Sequence, residues 1–151
     1  MESYERSVPT SAVDALERSA ASLQEAITTA EPARRYALAH VAALQATAAL
    51  LATRARPAGA RARRQKNAWV LLAEVAPELG EWATFFAAGA AKRAAAEAGS
   101  SRAVSEREAD DLVRDADHFL ALVERSLGFA HQSVVTRLAA PTVTSAVERA
   151  G

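Results

Sequence analysis

The chain is predicted to be all-α, an up-and-down bundle of four to five helices, and three observations carry that prediction. Forty of its 151 residues are alanine, the best intrinsic helix former. Only six are glycine and five proline, which argues against a β-sandwich or an α/β sheet. Apolar residues in the long segments recur in steps of three and four, the period of a helix buried along one side, and do not alternate as in a half-buried strand. The length suits one ordinary domain with a sizeable core. So much alanine implies a core of closely approaching helices more than one of bulky side chains.

Residues 1–9 are expected to be a flexible tail, residues 10–139 a single bundle, and residues 140–151 a C-terminal tail or short helix. The first helix opens at Thr10 or Ser11 with Asp14 in its first turn, and its apolar side runs Val13, Leu16, Ala20, Leu23, Ile27. Pro32 suits the first turn of a second helix reaching about Arg56, a rod of roughly 35–40 Å at about 1.5 Å per residue. The link between the two is short, which makes them antiparallel neighbours.

The centre of the chain is residues 67–99, which hold both tryptophans, Trp69 and Trp82, and two of the four phenylalanines, Phe85 and Phe86. Here Trp69, Leu72, Ala76, Leu79, Ala83, Phe86 and Ala90 make one stripe. Pro77 cannot donate a backbone hydrogen bond and clashes with the preceding turn, so the helix kinks or restarts there. Glu78 and Glu81 then lie near the positive end of the restarted helix, and Lys92 and Arg93 toward its negative end. Phe85 and Phe86 stand beside Gly89 and Ala90, large rings next to very small residues, which lets a neighbouring helix come close. Gly99 is the expected stop. Ser105 and Glu108 form a capping-box pattern that opens the last long helix, with Leu112, Val113, Ala116, Phe119, Leu120, Val123 and Leu127 on one face and Gly128 at its close.

Eighteen cationic side chains balance eighteen acidic ones, so only local clustering can speak for a charged partner. There is no cysteine, which excludes a disulfide framework and a zinc-thiolate site and fits a reducing compartment. The first residues lack the basic and apolar regions of a signal peptide, and a cytoplasmic location is expected. Residues 36–53 carry no formal charge, but alanine, His40, Gln45 and Thr47 keep their hydrophobicity too low for a convincing membrane span, and they read as a buried helix.

Six cations fall within thirteen residues: Arg54, Arg56, Arg61, Arg63, Arg64 and Lys66. Guanidinium forks on a loop suit phosphate, so this cluster is the candidate contact for nucleic acid or a nucleotide, with a solvated turn as the plain alternative. His40 falls on the apolar face of its helix beside Tyr36, Leu44 and Leu51 and reads as a hydrogen-bonded core histidine. His118 falls on a polar face near Asp111, Arg114 and Asp115. No HExxH or other metal-ligand spacing, no glycine-rich phosphate loop and no GxSxG elbow is present, so neither metal nor cofactor is expected.

The stretches from Ala39-His40 through residues 41–57, from Ala76-Pro77-Glu78-Leu79-Gly80-Glu81-Trp82-Ala83 into residues 85–90, and from Glu108 to Asp115 resemble a small actinobacterial branch of the HEPN superfamily (higher eukaryotes and prokaryotes nucleotide-binding domains). The resemblance covers residues 30–128 and implies a four- or five-helix bundle, often a homodimer. Many such domains are metal-independent ribonucleases that use an arginine and a histidine four to six residues apart; others have lost that motif and bind nucleotides or proteins. In this chain Arg114-Asp115 looks like the start of the motif, but His118 follows after three residues. Arg125 and His131 meet the spacing and straddle Gly128. Arg35 and His40 meet it too, but on an unbroken helix they point about 140° apart. The expectation is therefore a non-catalytic module, dimeric, that binds nucleotide, RNA or a protein partner without a membrane. A ribonuclease using Arg125 and His131 or Arg114 and His118 is the first alternative, and a purely structural dimerisation module the second.

Overall fold

The structure is a computed structural model and describes residues 8–54, 67–100, 102–131 and 133. Among these residues there are six α-helices, one 3-10 turn and no strand: α1 (Thr10–Ile27), α2 (Pro32–Arg54), α3 (Ala68–Val75), the 3-10 turn Pro77–Leu79, α4 (Gly80–Ala88), α5 (Ala90–Glu97) and α6 (Glu106–Ser126). Most of the tail 1–9, the segment 55–66 and the expected C-terminal segment 140–151 lie outside the described residues.

α2 is the axis of the bundle, packed against α1, α6, α5 and α3. Its inward positions are small: Ala39, Ala42, Ala43, Ala46 and Ala49 have no exposed surface. The small side chains bring α1 near enough for Ser19 Oγ to donate to the Ala42 carbonyl at 2.7 Å, and for Ser22 Oγ to donate to Gln45 Oε1 at 2.7 Å. α2 is long and apolar enough to cross a membrane by length and composition, but α1 and α6 cover its apolar face inside the bundle.

The central stretch restarts at Pro77. The chain leaves the helix at Ala76 (φ −134°, ψ 74°), makes one 3-10 turn with Pro77 at its start, and resumes as α4. A second break at Gly89 separates α4 from α5, although φ and ψ there (−81°, −8°) stay close to helical. The predicted stripe is nevertheless the buried one: Trp69, Leu72, Ala76, Leu79, Ala83 and Phe86 are buried, with Ala90 half-buried.

Helix ends carry the rest of the geometry. Ser105 Oγ accepts from the Glu108 N–H at 3.1 Å while Glu108 Oε1 accepts from the Ser105 N–H at 3.2 Å, so the capping box is complete. α5 closes at Gly99 (φ +91°) and α6 at Gly128 (φ +86°), each in the left-handed conformation that glycine adopts without strain. At both ends the next N–H folds back to the helix, Ser100 N–H to Ala95 O at 3.1 Å and Phe129 N–H to Glu124 O at 2.8 Å, which is the Schellman arrangement. The turn at Gly128 sends the chain back along α6.

Candidate functional site

The two arginine-histidine pairs on α6 do not converge. Arg114 and His118 lie one turn apart on the exposed face, but the Arg114 guanidinium turns to Asp111 at 3.7 Å, and the His118 ring meets the edge of Trp82 with centroids 5.5 Å apart. Arg125 is exposed on the last turn and makes no ion pair among the described residues. His131, carried back by the Gly128 turn, has its Nδ1 2.5 Å from Glu124 Oε1 and its Nε2 3.2 Å from Asp117 Oδ1. Asp117 also accepts from Ser133 Oγ at 2.7 Å. Both imidazole nitrogens are thus held by carboxylates. A general acid or base needs a nitrogen within reach of the substrate proton, and here each is already engaged.

No spacing in the sequence foretells this clasp, because only the reversal at Gly128 brings residues 131 and 133 beside Asp117. Of the six clustered cations only Arg54 lies among the described residues, where its guanidinium pairs with Glu78 across the start of the 3-10 turn and holds that carboxyl below its usual range. Arg56, Arg61, Arg63, Arg64 and Lys66 lie outside the described residues. No group of three side chains suited to a metal ion is found among the described residues.

What the fold does assemble is an aromatic cluster running from the core to the surface. Phe86 has no exposed surface and lies at the centre: Trp69 stacks on it at 5.2 Å and Trp82 at 5.8 Å, and Phe119 from α6 meets it edge-on at 5.1 Å. His40 joins from α2, its Nε2 donating to the Phe86 carbonyl at 2.8 Å and its ring set edge-on to Trp69. The core-histidine reading of His40 is therefore the observed one. Phe85, one residue before Phe86, points outward and is 45% exposed while touching Trp82 and Phe86.

A cavity opens on each side of Phe85. One, of about 330 Å³, is bounded by Glu81, Trp82 and Asp115. The Asp115 carboxyl there is pushed above its usual range by burial and by the neighbouring charge of Asp111, with His118 acting the other way. The other, of about 230 Å³, lies between α2, α5 and α6 and reaches Tyr36, His40, Gly89 and Lys92. It exists because residue 89 has no side chain: a Cβ there would sit 2.9 Å from Tyr36 Oη and 3.5 Å from His40 Cδ2. The pairing of large rings with small residues at 85–90 was the sequence signal for this close approach.

An all-α bundle with a long central helix, a proline-restarted helix against it and a capped final helix defines a helical-domain class with no catalytic constellation among its described residues. Comparison with family models places it further. Residues 26–124 match the family described as HEPN_SAV_6107-like HEPN, and the chain belongs to that HEPN family. No curated protein and no solved structure gives a significant match.

Proposed function

We propose that this HEPN domain is a non-catalytic protein-binding module that self-associates as a homodimer through the face around Phe85. The observation that supports it is Phe85 itself, a large ring left 45% exposed at the surface end of a continuous aromatic cluster. Aromatic side chains that stay exposed and rigidly backed are the usual anchors of protein interfaces. The engagement of both nitrogens of His131, and the separate partners of Arg114 and His118, favour binding over cleavage.

Sedimentation velocity over a concentration series tests the association. Phe85→Asp is expected to shift the chain to monomer, whereas Val70→Asp, equally exposed on α3, is expected to leave the association intact. A wild-type chain that is monomeric at every concentration sinks the reading. A mixed RNA pool at two salt concentrations tests the alternatives. Cleavage lost in Arg125→Ala would establish a ribonuclease, and salt-sensitive binding lost in Arg63→Ala/Arg64→Ala would establish phosphate binding by the basic segment.

A further inference from the structure

The smaller of the two cavities beside Phe85 has a polar wall that the fold leaves unused. Tyr36 is 93% buried by its 7% relative exposure, yet its hydroxyl makes no hydrogen bond among the described residues and points over Gly89, 2.9 Å from where a Cβ would lie. Lys92 lies on the same cavity, and its ammonium and the Glu108 carboxylate act on the Tyr36 phenol in opposite directions. One of its three N–H donors goes to Glu108 and two remain for another acceptor. The remaining surface is apolar: Phe86, Leu112 and the carbon face of the His40 ring.

The buried polar atoms without a partner among the described residues are His40 Nδ1 and Arg93 Nε, so the Tyr36 hydroxyl is open to the cavity and free to donate to an acceptor bound there. The group that fits is an acceptor carrying negative charge, since it takes the Tyr36 proton and the free Lys92 donors together. The apolar walls call for a hydrocarbon or aryl body behind that group. At about 230 Å³ the cavity lies below the roughly 300–1,000 Å³ of sites for drug-sized ligands, so the body is small. We propose that this cavity binds a small aryl or alkyl carboxylate, its carboxylate held by Tyr36 and Lys92 and its apolar part packed against Phe86 and Leu112. Glu108 acts as an internal competitor, holding Lys92 in the empty site.

Phe85 lines this cavity, which therefore adjoins the face proposed for self-association, but the argument for the ligand does not use that reading, and its test uses no variant of Phe85. Phenylacetate is titrated into the full-length chain, with phenylacetamide and inorganic phosphate in parallel, following the amide resonances of Gly89 and Lys92 by NMR. Phenylacetate is expected to shift both saturably, phenylacetamide and phosphate at least tenfold more weakly. Tyr36→Phe removes only an oxygen that has no hydrogen-bond partner among the described residues, so it keeps the thermal midpoint and weakens phenylacetate at least fivefold. Glu108→Gln keeps the capping box, in which glutamine also serves, and frees Lys92, so it tightens binding severalfold. The proposal is overturned if phenylacetate produces no saturable shift, if phenylacetamide binds equally well, if phosphate alone binds, or if Tyr36→Phe leaves phenylacetate affinity unchanged.

Discussion

The Nε2 of His40 donates to the Phe86 carbonyl at 2.8 Å, and this bond joins the centre of α2 to the end of α4 inside a core with no water-accessible surface at either residue. It also fixes the tautomer. With the proton on Nε2, Nδ1 is a bare acceptor, buried and without a partner among the described residues. Protonating it would place a charge among Trp69 and Phe86, and burial accordingly pushes the imidazole below its ordinary value, with Arg93 acting the same way and the Phe86 carbonyl and Glu97 opposing.

A histidine whose folded pKa is depressed binds fewer protons folded than unfolded between its folded pKa and 6.5. Stability therefore rises with pH across that window and is lost on acidification below about 6.5. In His40→Gln the amide can still donate to Phe86 but does not titrate. Its unfolding midpoint in urea is expected to be lower than wild type at pH 7, from imperfect packing, and to lose less between pH 7 and pH 5. Equal acid sensitivity of the two chains would assign that sensitivity elsewhere.

Asp115 has the opposite sign of effect on its own helix. Its folded pKa is raised, so the folded chain binds more protons than the unfolded one above 3.8, and the charged carboxylate costs stability once pH exceeds its raised value. Asp115→Asn is expected to stabilise at pH 7 by roughly 0.2–0.5 kcal/mol, small because solvent screens a partly exposed group. At pH 3, where aspartate is neutral in both states, the difference should vanish. Urea denaturation at the two pH values measures it. An asparagine variant less stable at pH 7 would mean that the carboxylate has a favourable contact outweighing its burial.

Ser19 tests how the alanine-rich seam is held. Its hydroxyl has no exposed surface and donates to the Ala42 carbonyl across the α1–α2 contact. Ser19→Ala removes the donor and no volume that the seam needs, so a loss of about 1 kcal/mol is expected, the usual worth of one hydrogen bond. Ser19→Val adds carbon where helices already touch and is expected to cost about 1–3 kcal/mol. Thermal or urea unfolding ranks the two, and a valine variant as stable as the alanine one would show slack in the seam.

The fold was legible because period and punctuation agree. The stripe from Trp69 to Phe86, the restart at Pro77, the capping box at Ser105 and the stops at Gly99 and Gly128 are all local signals, and the structure has each of them. The predicted side of α1 was only partly right in depth: Leu16 and Leu23 are buried, but Ala12, Ser19 and Ala26 lie deeper than Val13, Ala20 and Ile27. Close approach to α2 favours the small residues, which a hydrophobicity stripe undervalues. The site was less legible. Tyr36 comes from α2, Lys92 from α5 and Gly89 from the break between α4 and α5, and no spacing in the sequence announces that they share a cavity. Asp117 and His131 meet only because Gly128 reverses the chain, so a search for arginine-histidine spacing finds Arg125 and His131 while missing the carboxylates that occupy the histidine.

Two glycines make opposite predictions from the same substitution. Gly80 sits at the start of α4 with right-handed helical φ and ψ (−58°, −37°), and a Cβ there meets nothing within 4 Å. Gly80→Ala removes freedom from the unfolded chain without strain in the folded one and is expected to stabilise by about 0.4–1 kcal/mol. Gly128 also has open space for a Cβ, yet its φ of +86° is a conformation that alanine reaches only at a cost. Gly128→Ala is expected to destabilise by about 1–2 kcal/mol. It should also loosen the reversal that brings His131 to Glu124 and Asp117. The imidazole chemical shifts of His131 report that second effect directly: they should leave their wild-type positions in the alanine variant as the contacts with Glu124 and Asp117 loosen. If both substitutions change stability in the same direction, backbone conformation does not govern these two sites. If Gly128→Ala lowers stability but leaves the His131 chemical shifts unchanged, the clasp is held by the carboxylates themselves and does not depend on the turn.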